Sequence, residues 1–521
     1  MRETRRILLV PVLLMLVGCG GRVQRTDFDT LYLHLAQNLN TLDPAMVTDV
    51  AGGQVVANIH ANLVRYDVDG KLVGDLASDW TVSDNARTWR FDLRSEAKFA
   101  DGTPVTPEDV VRSFTRMLLP ATHSPRTWVL DRIAGAALVV AGKTEAVSGL
   151  RKTGERQVEI TLEKPCSSFA GMLTMPAAAV VPPGAIDFTR AGFGAGPYRV
   201  KEFVPSEHLL LEANPHYYAG PPRTSRIHYR IIVEEAARLT EFRQGRIDIM
   251  DVPDPYYEKL TTDPATRDYI DAAEAVNVYY LGFNCTMAPF DSARVRRAFC
   301  QGLDRKMLVE ALLAGRATPA IGPIPPCMEG FDPTLAPLPY DLETARAQLT
   351  AAGFDFSRSV RLVCASRPDT VKICQVLANE LSKLGVRIEL VPYEWGTFTQ
   401  KLRAGDFDLY YNSWWADYLD PENFLVPLFA VSPARSTGNA TGYASAELDA
   451  LLMDLVGTTK PEARTRLIRQ IQERVRDDAP RLFLWHRKAV TVRQPWVTNY
   501  RLFPIFNADT GRDIALRRPT D

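Results

Sequence analysis

The sequence has almost no charge of either sign to spare. Its 61 Lys and Arg face 62 Asp and Glu, a net charge of −1 over 521 residues, without the basic excess that nucleic-acid binding needs. Histidine is scarce. The seven histidines form no H-E-x-x-H, and His208, His216 and His228 stand eight and twelve residues apart, so no metal constellation is read from them. They are expected to be scattered over the surface, and no metal or cofactor is expected. Hydrolase signatures are missing as well: there is no G-x-S-x-G elbow, no S-x-x-K with a partner motif, and no C-x-x-C among the seven cysteines. The Gly-rich stretch Gly192 to Pro197 lacks G-x-G-x-x-G spacing, and Pro197 blocks a helix there. It reads as a chain crossing. No internal repeat or low-complexity segment is visible, and no apolar run after residue 17 is long enough to cross a membrane.

What is present describes a large globular chain. Hydrophobic residues make up 46% and charged residues 24%, which fits neither disorder nor a membrane-embedded protein. The length suggests about three domains or lobes. The first residues give an address: Arg2, Arg5 and Arg6 precede the apolar run Ile7 to Val17, which ends in Leu16-Val17-Gly18-Cys19. This has the proportions of a signal peptide with a bacterial lipobox, so Cys19 is the expected lipidation site; an ordinary signal peptide ending in Cys is the plainer alternative. Two or more acyl chains there would anchor the protein stably. Cys166, Cys285, Cys300, Cys327, Cys364 and Cys374 remain. They are read as unpaired buried thiols, although six cysteines in an exported protein allow 15 pairings.

Patterning fills in the elements. Thr30 to Leu35 and Thr88 to Leu93 alternate as strands, Asp69-Gly70 turns a hairpin, and Gly53 to Leu63 is helix-like. Thr106-Pro107-Glu108-Asp109 carries a helix N-cap with Pro at the first helical position, opening an amphipathic run to Leu118. From Ala293 onward helices and strands alternate, including strand Val360–Val363, helix Val371–Leu384, strand Val386–Val391, helix Trp395–Arg403 and strand Asp408–Asn412. That alternation indicates an α/β lobe.

A series of segments spanning nearly the whole mature chain then carries a resemblance. It includes Leu42-Asp43-Pro44, Leu76-Ala77-Ser78-Asp79-Trp80, Phe99-Ala100-Asp101-Gly102-Thr103-Pro104 and Asn214-Pro215-His216-Tyr217-Tyr218. It continues through Gly245-Arg246-Ile247-Asp248, Leu281-Gly282-Phe283-Asn284, Glu394-Trp395-Gly396 and Trp414-Trp415-Ala416-Asp417-Tyr418. In this order they resemble the extracytoplasmic solute-binding proteins of peptide-type ABC transporters. The resemblance implies an α/β, bilobed periplasmic-binding-protein fold of type II with an extra subdomain, its mixed sheets lying in two lobes joined by a hinge. The expected division is a signal peptide at 1–19, a tether at 20–29, lobe I from 30–68, 193–285 and 494–521, the extra subdomain from 69–192, and lobe II from 286–493. It also implies a monomer that is not an enzyme and captures a small peptide for an ABC permease with cytoplasmic ATPases.

The resemblance further implies the site. Asp417 would take the ligand's α-ammonium, a charge-assisted contact suited to a carboxylate; a solvated loop Asp near Pro421 is the alternative. Ser413, Trp414 and Trp415 would offer a strand edge to the peptide backbone, with Trp414 also lining a side-chain pocket, though two adjacent tryptophans also bury opposite strand faces. Val50, Ala51 and Gly52 are the matching segment on lobe I, and Trp395 matches a cleft tryptophan or is a core aromatic. Tyr411 is the departure. Similar proteins place a basic residue six before the amine-binding Asp to hold the ligand's carboxyl end, so the carboxyl anchor is missing at that position. Arg367, in a βα loop, is a substitute by position only. Other solutes (nickel chelates, haem, sugars or opines) and a non-transport sensor or chaperone-like lipoprotein remain alternatives.

Overall fold

The computed structural model describes residues 25–83, 85–184, 188, 194–431, 438–503, 505 and 511–518. Cys19, the rest of the signal peptide, the first half of the tether (residues 20–24) and Gly192-Phe193 lie outside the described residues.

Three sheets organise the chain. In the first, strand Thr30–Leu35 runs parallel to Arg226–Ile231, which continues antiparallel to His208–Ala213 and Tyr198–Val204. Helix Val50–Ile59 and the short carboxy-terminal pair Val497–Thr498 and Ala515–Leu516 join its core through Val55, Ile59 and Val497. The helix begins and ends earlier than the pattern implied because Asp49 caps it, accepting from the Gly52 N–H.

The second sheet is smaller and antiparallel, in the order Ala77–Val82, Thr88–Leu93, Gln157–Thr161, Leu150–Lys152. Trp89, Phe91 and Leu93 alternate into its core. Helix Pro107–Leu118 covers it, held by a reciprocal capping box in which Thr106 and Asp109 satisfy each other's backbone N–H. Tyr418, far along the chain, is buried in the same core.

The third sheet has eight strands and is the spine of the molecule. Strand Arg481–Arg493 pairs through Arg481–Trp485 with Asn277–Phe283, and through Lys488–Val492 with Ile270–Glu274. Its last residues also pair with Ile249–Asp251. Beyond Asn277–Phe283 come Leu409–Trp415, Ser359–Ala365 and Arg387–Tyr393, the last three mutually parallel. Helices Pro368–Ser382 and Trp395–Ala404 follow the two outer strands, as the β-α alternation implied. Strand Asn277–Phe283 thus lies in this sheet ahead of the expected boundary at residue 285, and Arg481–Arg493 serves both sides of the expected boundary.

The glycine-rich segment is a crossing. Gly194 sits at φ +89°, and a Cβ there would stand 2.1 Å from the Ile59 carbonyl oxygen at the end of helix Val50–Ile59; the Gly196 N–H donates to that same oxygen at 2.9 Å. Two expectations need correcting. The histidines are not scattered over the surface: His60 and His486 are buried, and the His208 and His228 rings meet edge-on across neighbouring strands, 5.2 Å apart. All six described cysteines are free, but Cys327 is exposed and Cys285 only half-buried.

Two predictions follow from the packing. Gly194→Ala combines a left-handed backbone with a clash on a fixed carbonyl, and is expected to cost about 3 kcal/mol in urea unfolding; a loss within about 0.5 kcal/mol would contradict the crossing. His486 donates its Nδ1–H to the Asn277 carbonyl at 2.6 Å, and burial lowers its pKa from 6.5 to about 4. The unfolded chain therefore takes up this proton before the folded one does, so the contribution is complete above pH 6.5 and is lost as pH falls toward 4. His486→Gln should flatten the pH dependence of the unfolding midpoint across that window.

Candidate functional site

The site begins where parallel strands part. Ser359–Ala365 touches Leu409–Trp415 only at Leu362 opposite Leu409 and Val363 opposite Tyr410. On its other side Leu409–Trp415 is paired along its full length with Asn277–Phe283. Tyr411 to Trp415 therefore keep one edge without a strand partner among the described residues. A cavity of about 590 Å³ occupies the fork, walled by Tyr279, Arg367, Trp395, Tyr411, Ser413 and Arg487 among others. Its position outside the carboxyl ends of parallel strands is where open α/β sheets place ligands.

Several sequence-derived residues meet here. Ser413 and Tyr411 come from the open-edged strand, with Tyr411 buried, and burial pushes its phenol well above the usual range. Trp395 starts helix Trp395–Ala404 with 58% of its surface exposed, so it faces the cavity and is not a core aromatic. Arg367 is the N-cap residue of Pro368–Ser382, its guanidinium 3.6 Å from Asp369. The two tryptophans divide. Trp414 packs on the core and donates its indole N–H to the Asn423 carbonyl at 2.8 Å, so it does not line this cavity, while Trp415 is the exposed ring, edge-on to Tyr279.

Asp417 lies just past that strand, and its carboxylate stands 3.8 Å from the Arg126 guanidinium. Burial raises its pKa above the ordinary Asp value, and the Arg126 charge partly offsets this. Arg126 also donates to the carbonyls of Val47 at 3.3 Å and Thr48 at 2.8 Å. One guanidinium thus brings Asp417 close to the segment leading into Val50, Ala51 and Gly52. Those three are not an extended strand edge, however. They form the first turn of helix Val50–Ile59, where Ala51 and Gly52 are buried and Val50 is exposed.

The loop after Asp417 is anchored on the small-sheet core. Tyr418 inserts there, the Leu419 N–H donates to the Tyr66 hydroxyl at 2.9 Å, and Glu422 takes Arg132 at 2.9 Å. Asp420 holds Arg464 through both oxygens at 2.8 Å and accepts from the Glu422 N–H at 2.8 Å. The sequence reading missed Arg126, Tyr279 and Arg487. Arg487 lies in the polar triplet His486-Arg487-Lys488, which does not single it out, and for Arg126 there was no signal because its role depends on a loop crossing.

Three main sheets, the largest carrying an open strand edge with a cavity in its fork and a half-buried carboxylate beside it, give an α/β, bilobed solute-binding architecture. Comparison with known sequences gives the family. The bacterial extracellular solute-binding proteins, family 5 (middle), match residues 71–436, and the chain belongs to this family. Among its relatives, the "Probable D,D-dipeptide-binding periplasmic protein DdpA" of Escherichia coli (strain K12) is 30% identical, over 92% of this chain and 94% of its own. Heme-binding protein A of Haemophilus influenzae is 27% identical, over 82% of this chain and 81% of its own. The murein tripeptide binding protein MppA in its unliganded open form superposes with a TM-score of 0.82 at 27% identity, covering 94% of this chain and 98% of that one.

The Arg126–Asp417 contact is directly measurable. In a carboxyl-carbon NMR titration, Asp417 is expected to titrate above the ordinary Asp value of 3.8, and higher still in Arg126→Gln. An unchanged titration in the variant would show that the pair carries no electrostatic coupling.

Proposed function

We propose that the protein is a non-enzymatic, extracytoplasmic lipoprotein that captures short peptides between its lobes and delivers them to an ABC permease. The open edge of Tyr411 to Trp415, ending beside Asp417, carries this reading. An extended peptide adds to such an edge through its backbone, largely regardless of sequence. Its ammonium then reaches a carboxylate already shielded from water, where a charge-assisted bond is strong. Arg126 partly offsets the burial that disfavours the Asp417 carboxylate, and Trp395, Trp415 and Val50 supply apolar surface that a ligand would cover. The family membership and the peptide-binding names of DdpA and MppA support the assignment. Lipidation at Cys19 rests on the lipobox pattern alone.

A second reading, that the solute is a haem, nickel chelate, sugar or opine, is favoured by one observation: a relative named for haem matches most of the chain. Thermal unfolding separates the two. The protein lacking residues 1–19, refolded to remove bound solute, should gain about 2.7 kcal/mol of apparent stability from a di- to hexapeptide at a hundredfold excess over Kd. The gain should vanish when the peptide amine is acetylated or Asp417 is changed to Asn. If no peptide shifts the transition while one of the other solutes does, the peptide assignment is wrong and the family stands.

A further inference from the structure

The cavity in the fork contains two polar groups that the protein leaves unsatisfied. The Tyr411 hydroxyl and the Arg487 Nε are each buried without a hydrogen-bond partner, on a residue that walls the cavity. Such groups are costly unless something else satisfies them. Both neighbour Tyr279: the Arg487 guanidinium lies over the Tyr279 ring at 5.4 Å, and the Tyr411 ring is 6.2 Å from it. Arg487 is fixed from behind. Its Nη2 contacts Asp254 at 3.2 Å, and its backbone N–H is held by the Asn277 side chain at 2.8 Å.

The charges around the cavity are unevenly placed. Asp254 is shared between Arg487 and Arg316, a local excess of positive charge. Arg367 is paired with Asp369. The compensating negative charge is Glu394, which accepts from the Gly396 N–H at 2.7 Å at the start of helix Trp395–Ala404. The 15-residue helix Pro368–Ser382 also opens at the cavity through Asp369 and Thr370, and no side chain caps its N-terminus. Both the helix end and the surplus guanidinium favour an anion.

We infer that Arg487, with the Tyr411 hydroxyl, forms an anion subsite for a carboxylate of the bound ligand. This rests on the peptide reading above, in which the group is the peptide's carboxyl end. The guanidinium that is absent from position 411 is then supplied by the neighbouring long strand, and Tyr411 takes part as a hydroxyl donor. Six residues separate Tyr411 from Asp417. At roughly 3.3 Å per residue of strand, a peptide held at both ends is no more than about six residues long.

Calorimetric titration with matched peptides, free acid against carboxyl amide, tests this. The wild-type protein should prefer the acid at least tenfold. Tyr411→Phe, which removes only the hydroxyl, should reduce that ratio, and Arg487→Gln should abolish it. Asp417→Asn should weaken acid and amide alike and leave the ratio unchanged. Equal affinity for acid and amide in the wild type, or an undiminished ratio in Arg487→Gln, overturns the subsite. If no peptide binds at all, the peptide reading fails separately, and the subsite is then tested with succinate and acetate. A thermal shift from either that is lost in Arg487→Gln supports it; no shift from either overturns it.

Discussion

The backbone pairing that the rest of the molecule depends on is made by one strand, Arg481–Arg493, which belongs to two bodies at once. Its first half is bonded into the large sheet through Asn277–Phe283, and its second half into strands Ile270–Glu274 and Ile249–Asp251. Between these halves the Asn277 carboxamide clasps the strand. It donates to the Arg487 carbonyl and accepts from the Arg487 N–H, both at 2.8 Å, while the Asn277 carbonyl meets His486 Nδ1 at 2.6 Å. Asn277 and His486 are fully buried, where each such bond is expensive to break.

The same clasp sets the chemistry beside it. Arg487 is fixed at its backbone by Asn277 and at its guanidinium by Asp254 and the Tyr279 ring. Asp417 is treated differently. Its carboxylate is held by a single guanidinium at 3.8 Å, and that guanidinium is itself anchored on the Val47 and Thr48 carbonyls. One end of the cleft is therefore built on a sheet and the other on loops. A rigid end and an adaptable end together suit ligands of varying length.

Much of the fold was legible in the sequence. The alternating strand Thr30–Leu35, the Thr106 capping box and the β-α succession around helices 368–382 and 395–404 all appeared where local pattern placed them. These are features that local periodicity and capping chemistry decide. The spine strand was not read, because its apolar stretch Leu482–Trp485 is followed by His486-Arg487-Lys488, which breaks both a continuous run and a regular alternation. At the site, the resemblance pointed to Asp417, Ser413 and Trp395 but could not say which of two adjacent tryptophans turns outward. Strand parity and the Asn423 contact decide that. Nor could it give the first turn of helix Val50–Ile59, where Asp49 captures the Gly52 N–H and so moves the helix start.

Tyr418 follows Asp417 immediately and is sunk in the core of the small antiparallel sheet, among residues drawn from positions 45 to 195. The Asp417 carboxylate is thus spliced to a body that contributes no strand to the open edge beside it. This makes the lobes poor modules for exchange. A chimera that grafts the 409–422 segment of a relative onto this scaffold imports a plug without its socket, and has to bring Tyr66, Arg132 and Phe169 with it. Diversification of solute preference in such a chain is easiest at the walls of the fork and most constrained at the carboxylate.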